Sequence, residues 1–250
     1  MLALLSPAKT LDYSTSHAPI EPTTPHFADD AERIARGAAR LGATRLQSLM
    51  KISPALATLN AARFRGFADA EERAAIHAFA GDVYTGFDVA SLDRAALDFA
   101  QDHLRILSGL YGVLRPSDAI RPYRLEMGTR WAPGRAADLY DYWGTRVADR
   151  IATDLAATGS DTIVNLASQE YWHVAKDRLP GAVRVLEIDF REAGPDGPRF
   201  VSFHAKRARG AMARWICEHR VVDRTGLAGF DADGYRLADE SDTSLSFVRG

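Results

Sequence analysis

The stretch LALLSPAKT, residues 2–10, decides the fold. LALLS (2–6) is apolar without alternation, the pattern of a strand buried on both faces. Such strands belong to parallel sheets covered by helices. The run stops at Pro7, so Ser6, Lys9 and Thr10 stand just past a strand end, where open α/β sheets bind ligands. TIVNLAS (162–168) repeats the build and places Asn165, Ser168, Glu170 and Tyr171 past a second end. RFVSFHA (199–205) reads as a third strand, followed by Lys206, Arg207 and Arg209. Together with VRVLEIDF (183–190) and the turn GPDG it predicts a hairpin. The expectation is an α/β fold, a mixed sheet flanked by helices.

The remaining segments fit that frame. Phe27 to Leu41 reads as a helix, with Asp29 and Asp30 suited to the dipole of its first turn and Gly42 at its end. Residues 69–79 and 138–157 also read as helices. Asp93 to Leu107 carries Ala96, Leu97, Ala100, Leu104 and Leu107 on one face and predicts an amphipathic helix. Residues 108–133 lack periodicity. GYRLA (234–238) and LSFVR (245–249) predict closing strands. The domain expectation is a single α/β domain over 1–250, with residues 28–79 as a helical subdomain.

Composition sets bounds. The 250 residues are 46% apolar and carry a net charge of −2, so nucleic-acid binding requires a local patch. A single cysteine, Cys217, fits a reducing compartment, and a cytoplasmic protein is expected. The opening run MLALL is too short for a signal peptide or a membrane span.

A local patch exists. Between residues 33 and 65 stand Arg33, Arg36, Arg40, Arg45, Lys51, Arg63 and Arg65, with no Asp or Glu. Exclusion of one sign is the footprint expected for a polyanion. Within it, LQSLMKISPALATLN (46–60) predicts two helices joined at Lys51-Ile52-Ser53. Ser53 suits a helix cap and Pro54 the first helical position. Free N–H groups at such a turn can hold phosphate without reading bases. The pattern has the shape of a helix-hairpin-helix element, with Ile52 as its central apolar residue. Lys51 and Ser53 stand where glycines are usual, and Ala57 takes the small inner position. The expected DNA-binding set is Arg45, Lys51, Ile52, Ser53, Arg63 and Arg65. An ordinary helical pair with a solvated basic face fits the same residues.

The strand ends predict a cationic cleft. Besides Ser6, Lys9, Asn165, Ser168, Glu170, Tyr171, Lys206 and Arg209, the segments GDVYTG (81–86) and RPYRLEMGTR (121–130) are assigned to it. They contribute Asp82, Tyr84, Arg121, Tyr123, Arg124 and Glu126. Such groups suit an anionic small molecule or a nucleotide, and a lysine among arginines suits a base or nucleophile. Buried ion pairs that fix a long loop are the alternative. Gly109 and Gly112 make no phosphate-binding loop, and Glu170 with His173 is half of a di-iron motif whose other half is missing. No metal and no cofactor is expected.

Several motifs carry a resemblance. LLSPAKTLDY, LMKISPALATLNAARF, GDVYTGFD, HLRILSGLYGVLRP, PYRLEMGTR, LYDYWG, NLASQEYW and KRARG occur in this order in the bacterial YaaA family, whose founding members are called peroxide stress resistance proteins. The chain resembles that family from Met1 to about Phe247. The resemblance implies a single α/β fold with a positively charged cleft and a helix-hairpin-helix element. It implies sequence-independent binding of duplex or distorted DNA, and association with limiting free iron and oxidative DNA damage under hydrogen peroxide. A monomer is expected. An enzyme acting on a nucleotide or nucleic acid around Lys9 is the alternative.

Overall fold

A computed structural model describes residues 1–250. The frame is a seven-stranded sheet. Its strands are β1 (Leu2–Leu5), β5 (Leu104–Ser108), β6 (Gly112–Leu114), β8 (Thr162–Asn165), β9 (Arg184–Glu192), β10 (Tyr235–Ser241) and β11 (Ser244–Arg249). The order is β10-β11-β9-β8-β1-β5-β6. Pairings from β11 through β9, β8 and β1 to β5 are parallel, and both outermost pairings are antiparallel. Every residue of β1 and β5 is buried, as expected for strands covered on both faces. Four two-residue strands form side ribbons: β2 (Thr10–Leu11) with β4 (Phe79–Ala80), and β3 (Arg73–Ala74) with β7 (Ala119–Ile120).

The chain leaves β1 toward β5 on one side, and later returns to β8 on the other. The sheet therefore reverses its direction of growth between β1 and β8. The connections that leave their carboxyl ends run in opposite directions there, the usual ligand position of open α/β sheets.

Helices α1 (Ala28–Ala39), α2 (Gly42–Met50) and α3 (Pro54–Arg65) follow a loop that contains Pro19, Pro22 and Pro25, and α4 (Ala75–Ala78) is a single turn. Next come α5 (Asp82–Phe87) and α6 (Arg94–His103), then α7 (Leu139–Trp143) and α8 (Arg146–Ala157). The last are α9 (Gln169–Trp172), α10 (Ser202–Glu218) and α11 (Arg224–Ala228). A continuous core of 65 buried residues joins the sheet to these helices.

Four expectations change. The helix predicted to end at Leu107 stops at His103, because Leu104–Ser108 join β1 as a parallel strand. Residues 69–79 are not one helix: Arg73 and Ala74 pair with β7, and only Ala75–Ala78 turn. Residues 138–157 divide at Gly144, whose φ of 53° favours glycine. RFVSFHA is not a strand. The turn at Gly194–Gly197 closes a single bridge, Glu192 to Arg199, and α10 then begins at Ser202. Its buried positions, Ala205, Ala208, Met212 and Ile216, recur at helical spacing, whereas Phe200 and Phe203 face solvent.

Candidate functional site: a basic helical turn and a cleft at the sheet switch point

The turn between α2 and α3 is built from four consecutive choices. Lys51 closes α2 in the left-handed conformation, φ 51° and ψ 48°. Ile52 is buried at the centre of the turn. Ser53 is extended, and its Oγ accepts the Leu56 N–H at 3.3 Å. Pro54 then opens α3 with φ preset for helix. The N–H groups of Ser53 and Ala55 make no backbone bond and lie on exposed residues. Ala57 is fully buried at the inner position.

The charges around this turn are uneven. Arg33 pairs with Asp30 at 3.2 Å and Arg36 with Glu32 at 3.4 Å, so acids just upstream neutralise two of the cations. Arg45, Lys51 and Arg65 are exposed, while Arg63 is half-buried and burial lowers its pKa.

The crevice past β1 and β8 is a cavity of about 450 Å³. It brings together Ser6, Lys9, Asp82, Ser168, Glu170, Tyr171, Lys206 and Arg209. Ser6 stitches the two strand ends: its Oγ accepts the Ser168 N–H at 2.8 Å and donates to Ser168 Oγ at 3.2 Å. Tyr84 donates to the Ser6 carbonyl at 3.0 Å. Lys9, 63% exposed, reaches Glu126 at 3.6 Å, and Arg124 holds the same oxygen at 3.0 Å. Glu126 Oε2 is buried without a partner. Lys206 stands 4.0 Å from Asp82. Arg209 Nε is buried without a partner. Burial lowers the pKa of that guanidinium, while Asp189 and Glu187 on β9 favour its charge.

Other assigned residues support the cleft or lie outside it. Glu170 accepts the Gly128 N–H at 3.0 Å, and its carbonyl accepts the Tyr140 hydroxyl at 2.7 Å, so it ties down the 121–130 segment. Asn165 is buried and donates to Glu187 at 2.7 Å. Tyr123 is buried against Phe79 and Tyr111 and shares a hydrogen bond with Ser108. Burial drives Tyr84, Tyr123 and Tyr171 upward in pKa, so all three stay protonated. Arg121 belongs elsewhere: it pairs with Glu72 at 2.9 Å and lies over the Phe67 ring, against the base of the helices. Lys206 and Arg209 reach the cleft from helix α10, not from a strand end. Cys217 is buried, and its thiol is pushed up to about 12.

Sequence reasoning missed the contact that sets the cleft wall. A Cβ on Gly86 of α5 would meet the Arg207 carbonyl of α10 at 2.0 Å, and one on Gly210 would meet the Val83 carbonyl at 1.8 Å. The two backbones touch there, and each helix carries one member of the Lys206–Asp82 pair. Glycines in YTGF and ARGA were the only signal.

The sequence profile described as peroxide stress protein YaaA matches residues 1–241. The chain belongs to the YaaA family. Relatives agree over nearly full length. A UPF0246 protein of Rhizorhabdus wittichii is 57% identical over 100% of this chain and 99% of its own. One from Jannaschia sp. is 48% identical over 96% and 93%, and one from Idiomarina loihiensis 46% over 100% and 98%. Membership of the YaaA family brings a role in peroxide stress. No helix is long and apolar enough to cross a membrane.

Proposed function

We propose that this YaaA-family chain protects DNA under peroxide stress by gripping the sugar–phosphate backbone without reading sequence. The grip is a helix-hairpin-helix-like turn, and the observation that carries the reading is its build. Lys51 takes the left-handed position, Ile52 is buried, and the N–H groups of the exposed residues Ser53 and Ala55, which make no backbone bond, stand at the start of α3. Backbone donors with the positive end of a helix and the flanking Arg45, Lys51 and Arg65 suit a phosphate. The cleft, with Lys9, Lys206 and Arg209, receives distorted or flipped DNA. Limiting of free iron is indirect in this reading, since a single cysteine cannot supply a four-cysteine iron–sulfur cluster within one chain.

The second reading is an enzyme acting on a nucleotide in the cleft. It draws on Lys9 and Arg124 meeting at one oxygen of Glu126 while the other oxygen is free. Fluorescence anisotropy on plain and bulged duplexes separates the two, comparing wild type, Lys51→Glu and Lys9→Ala. The DNA reading expects Lys51→Glu to weaken both duplexes and Lys9→Ala to weaken the bulged one more. Unchanged binding in Lys51→Glu removes the hairpin from the account.

A further inference from the structure

Away from the cleft and the hairpin, three guanidiniums and two carboxylates surround a cavity of about 150 Å³. Arg105 comes from β5, Arg115 follows β6, and Arg150 and Asp154 stand one turn apart on α8. Asp118 precedes β7. Arg105 is 5% exposed, Asp154 4% and Asp118 1%.

The carboxylates are already committed. Asp154 is shared, accepting Arg105 Nε at 2.6 Å on one oxygen and Arg150 Nη2 on the other. Asp118 accepts Arg115 through Nε at 3.2 Å and Nη2 at 3.1 Å, and also the Thr23 hydroxyl at 2.6 Å. His26 adds no charge: its Nδ1 faces Arg150 Nη1 at 3.4 Å and must accept there, which requires the neutral ring. Burial first, then Arg150, holds its pKa below the ordinary value.

One positive charge is thus left without a carboxylate, in a wall whose central arginine is almost fully buried. Arg105 and Arg150 divide the single Asp154 between them, so an anion in the cavity would complete the charge balance. The donors to meet one are present. Arg105 spends Nε on Asp154 and Nη1 on the Gln101 and Leu104 carbonyls, which leaves Nη2 without a protein partner. Arg115 uses Nε and Nη2 and keeps Nη1. The cavity is far larger than one water needs and has room for a tetrahedral oxyanion.

We propose that this cavity binds a phosphate-sized oxyanion, held by Arg105, Arg115 and Arg150. The ion is either free phosphate or the terminal phosphate of a nucleotide whose remainder stays outside. The site is independent of DNA binding, since it shares no residue with the hairpin or the cleft.

Thermal unfolding of the full chain in phosphate, AMP or chloride at matched ionic strength tests this. Phosphate at a hundredfold excess over Kd is expected to raise the wild-type Tm by on the order of 5 °C. Chloride should leave it unchanged. A matching rise in AMP identifies a nucleotide phosphate as the source, and no rise identifies the free ion. Lys51→Glu should keep the rise, which separates this site from the hairpin. Arg150→Met leaves Asp154 paired with Arg105 and should lose the rise. Should that variant not fold, the more exposed Arg115→Gln serves in its place. Equal Tm values in phosphate and chloride, or a rise that survives in the folded variant, overturn the proposal.

Discussion

Gly86 and Gly210 allow α5 and α10 to cross in backbone contact, each with the other helix's carbonyl where its own Cβ would be. Arg214, one turn further along α10, locks the crossing by donating to the carbonyls of Phe87 and Asp88 at 3.2 and 2.9 Å. The wall of the cleft depends on this crossing.

Gly210→Ala should therefore force the helices apart. The added methyl lies 1.8 Å from the Val83 carbonyl, and backbone on both sides cannot swing away as a side chain would. Overpacking of this kind costs on the order of 3 kcal/mol. Urea unfolding should show that loss, and the enlarged Lys206–Asp82 gap should weaken bulged-duplex binding more than plain-duplex binding. A variant as stable as wild type would show that the crossing is looser than described.

Lys51 combines a strained backbone with a useful charge. Its φ of 51° costs a side-chain-bearing residue about 1 kcal/mol relative to glycine. Lys51→Gly should then raise stability by about that amount in chemical denaturation while lowering DNA affinity. Parallel changes, both up or both down, would contradict the division of roles between backbone and ammonium.

Ser53 caps α3 through a single hydrogen bond to the Leu56 N–H. Ser53→Ala should lower stability by about 1 kcal/mol, and Ser53→Asn should restore most of it. Guanidinium unfolding of the three proteins decides this.

His77 links stability to acid. Its ring stacks on His17 at 4.3 Å. Burial, then His17 and Arg73, depress its pKa from 6.5 to about 4. The unfolded chain takes up this proton near pH 6.5, whereas the folded chain resists it until near pH 4. The unfolded state thus binds more protons in that window, and stability falls as pH drops through it. His77→Gln should flatten the wild-type loss of stability between pH 6.5 and pH 4. An unchanged slope would assign the acid sensitivity to other groups.

The sequence announced what is local and left out what is long-range. Strands β1 and β8 were legible because a strand buried on both faces cannot alternate, and the Ser53-Pro54 helix start because cap chemistry is contained in two residues. Leu104–Ser108 were misread because a short apolar run suits helix or strand equally until a partner strand is known. RFVSFHA imitated a strand through Val201, Phe203 and Ala205 at every second position, although Phe200 and Phe203 face solvent. Ser6, Lys9 and Ser168 follow strand ends β1 and β8, whereas Lys206 and Arg209 line the same cavity from helix α10 and not from the strand expected there. Arg121 was assigned to the cleft wrongly, since its partner Glu72 lies 49 positions away and no periodicity links them. The Arg105–Asp154 pair was silent for the same reason.

The central claim, a sequence-blind phosphate grip at the α2–α3 turn, is tested most directly by salt. DNA affinity of wild type and Lys51→Ala should be measured on two unrelated duplexes across a range of salt concentrations. The account predicts that log affinity falls linearly with log salt for both proteins. It further predicts a slope shallower by about 1 in Lys51→Ala, identical on both sequences. A wild-type affinity indifferent to salt, or an unchanged slope in the variant, would contradict it.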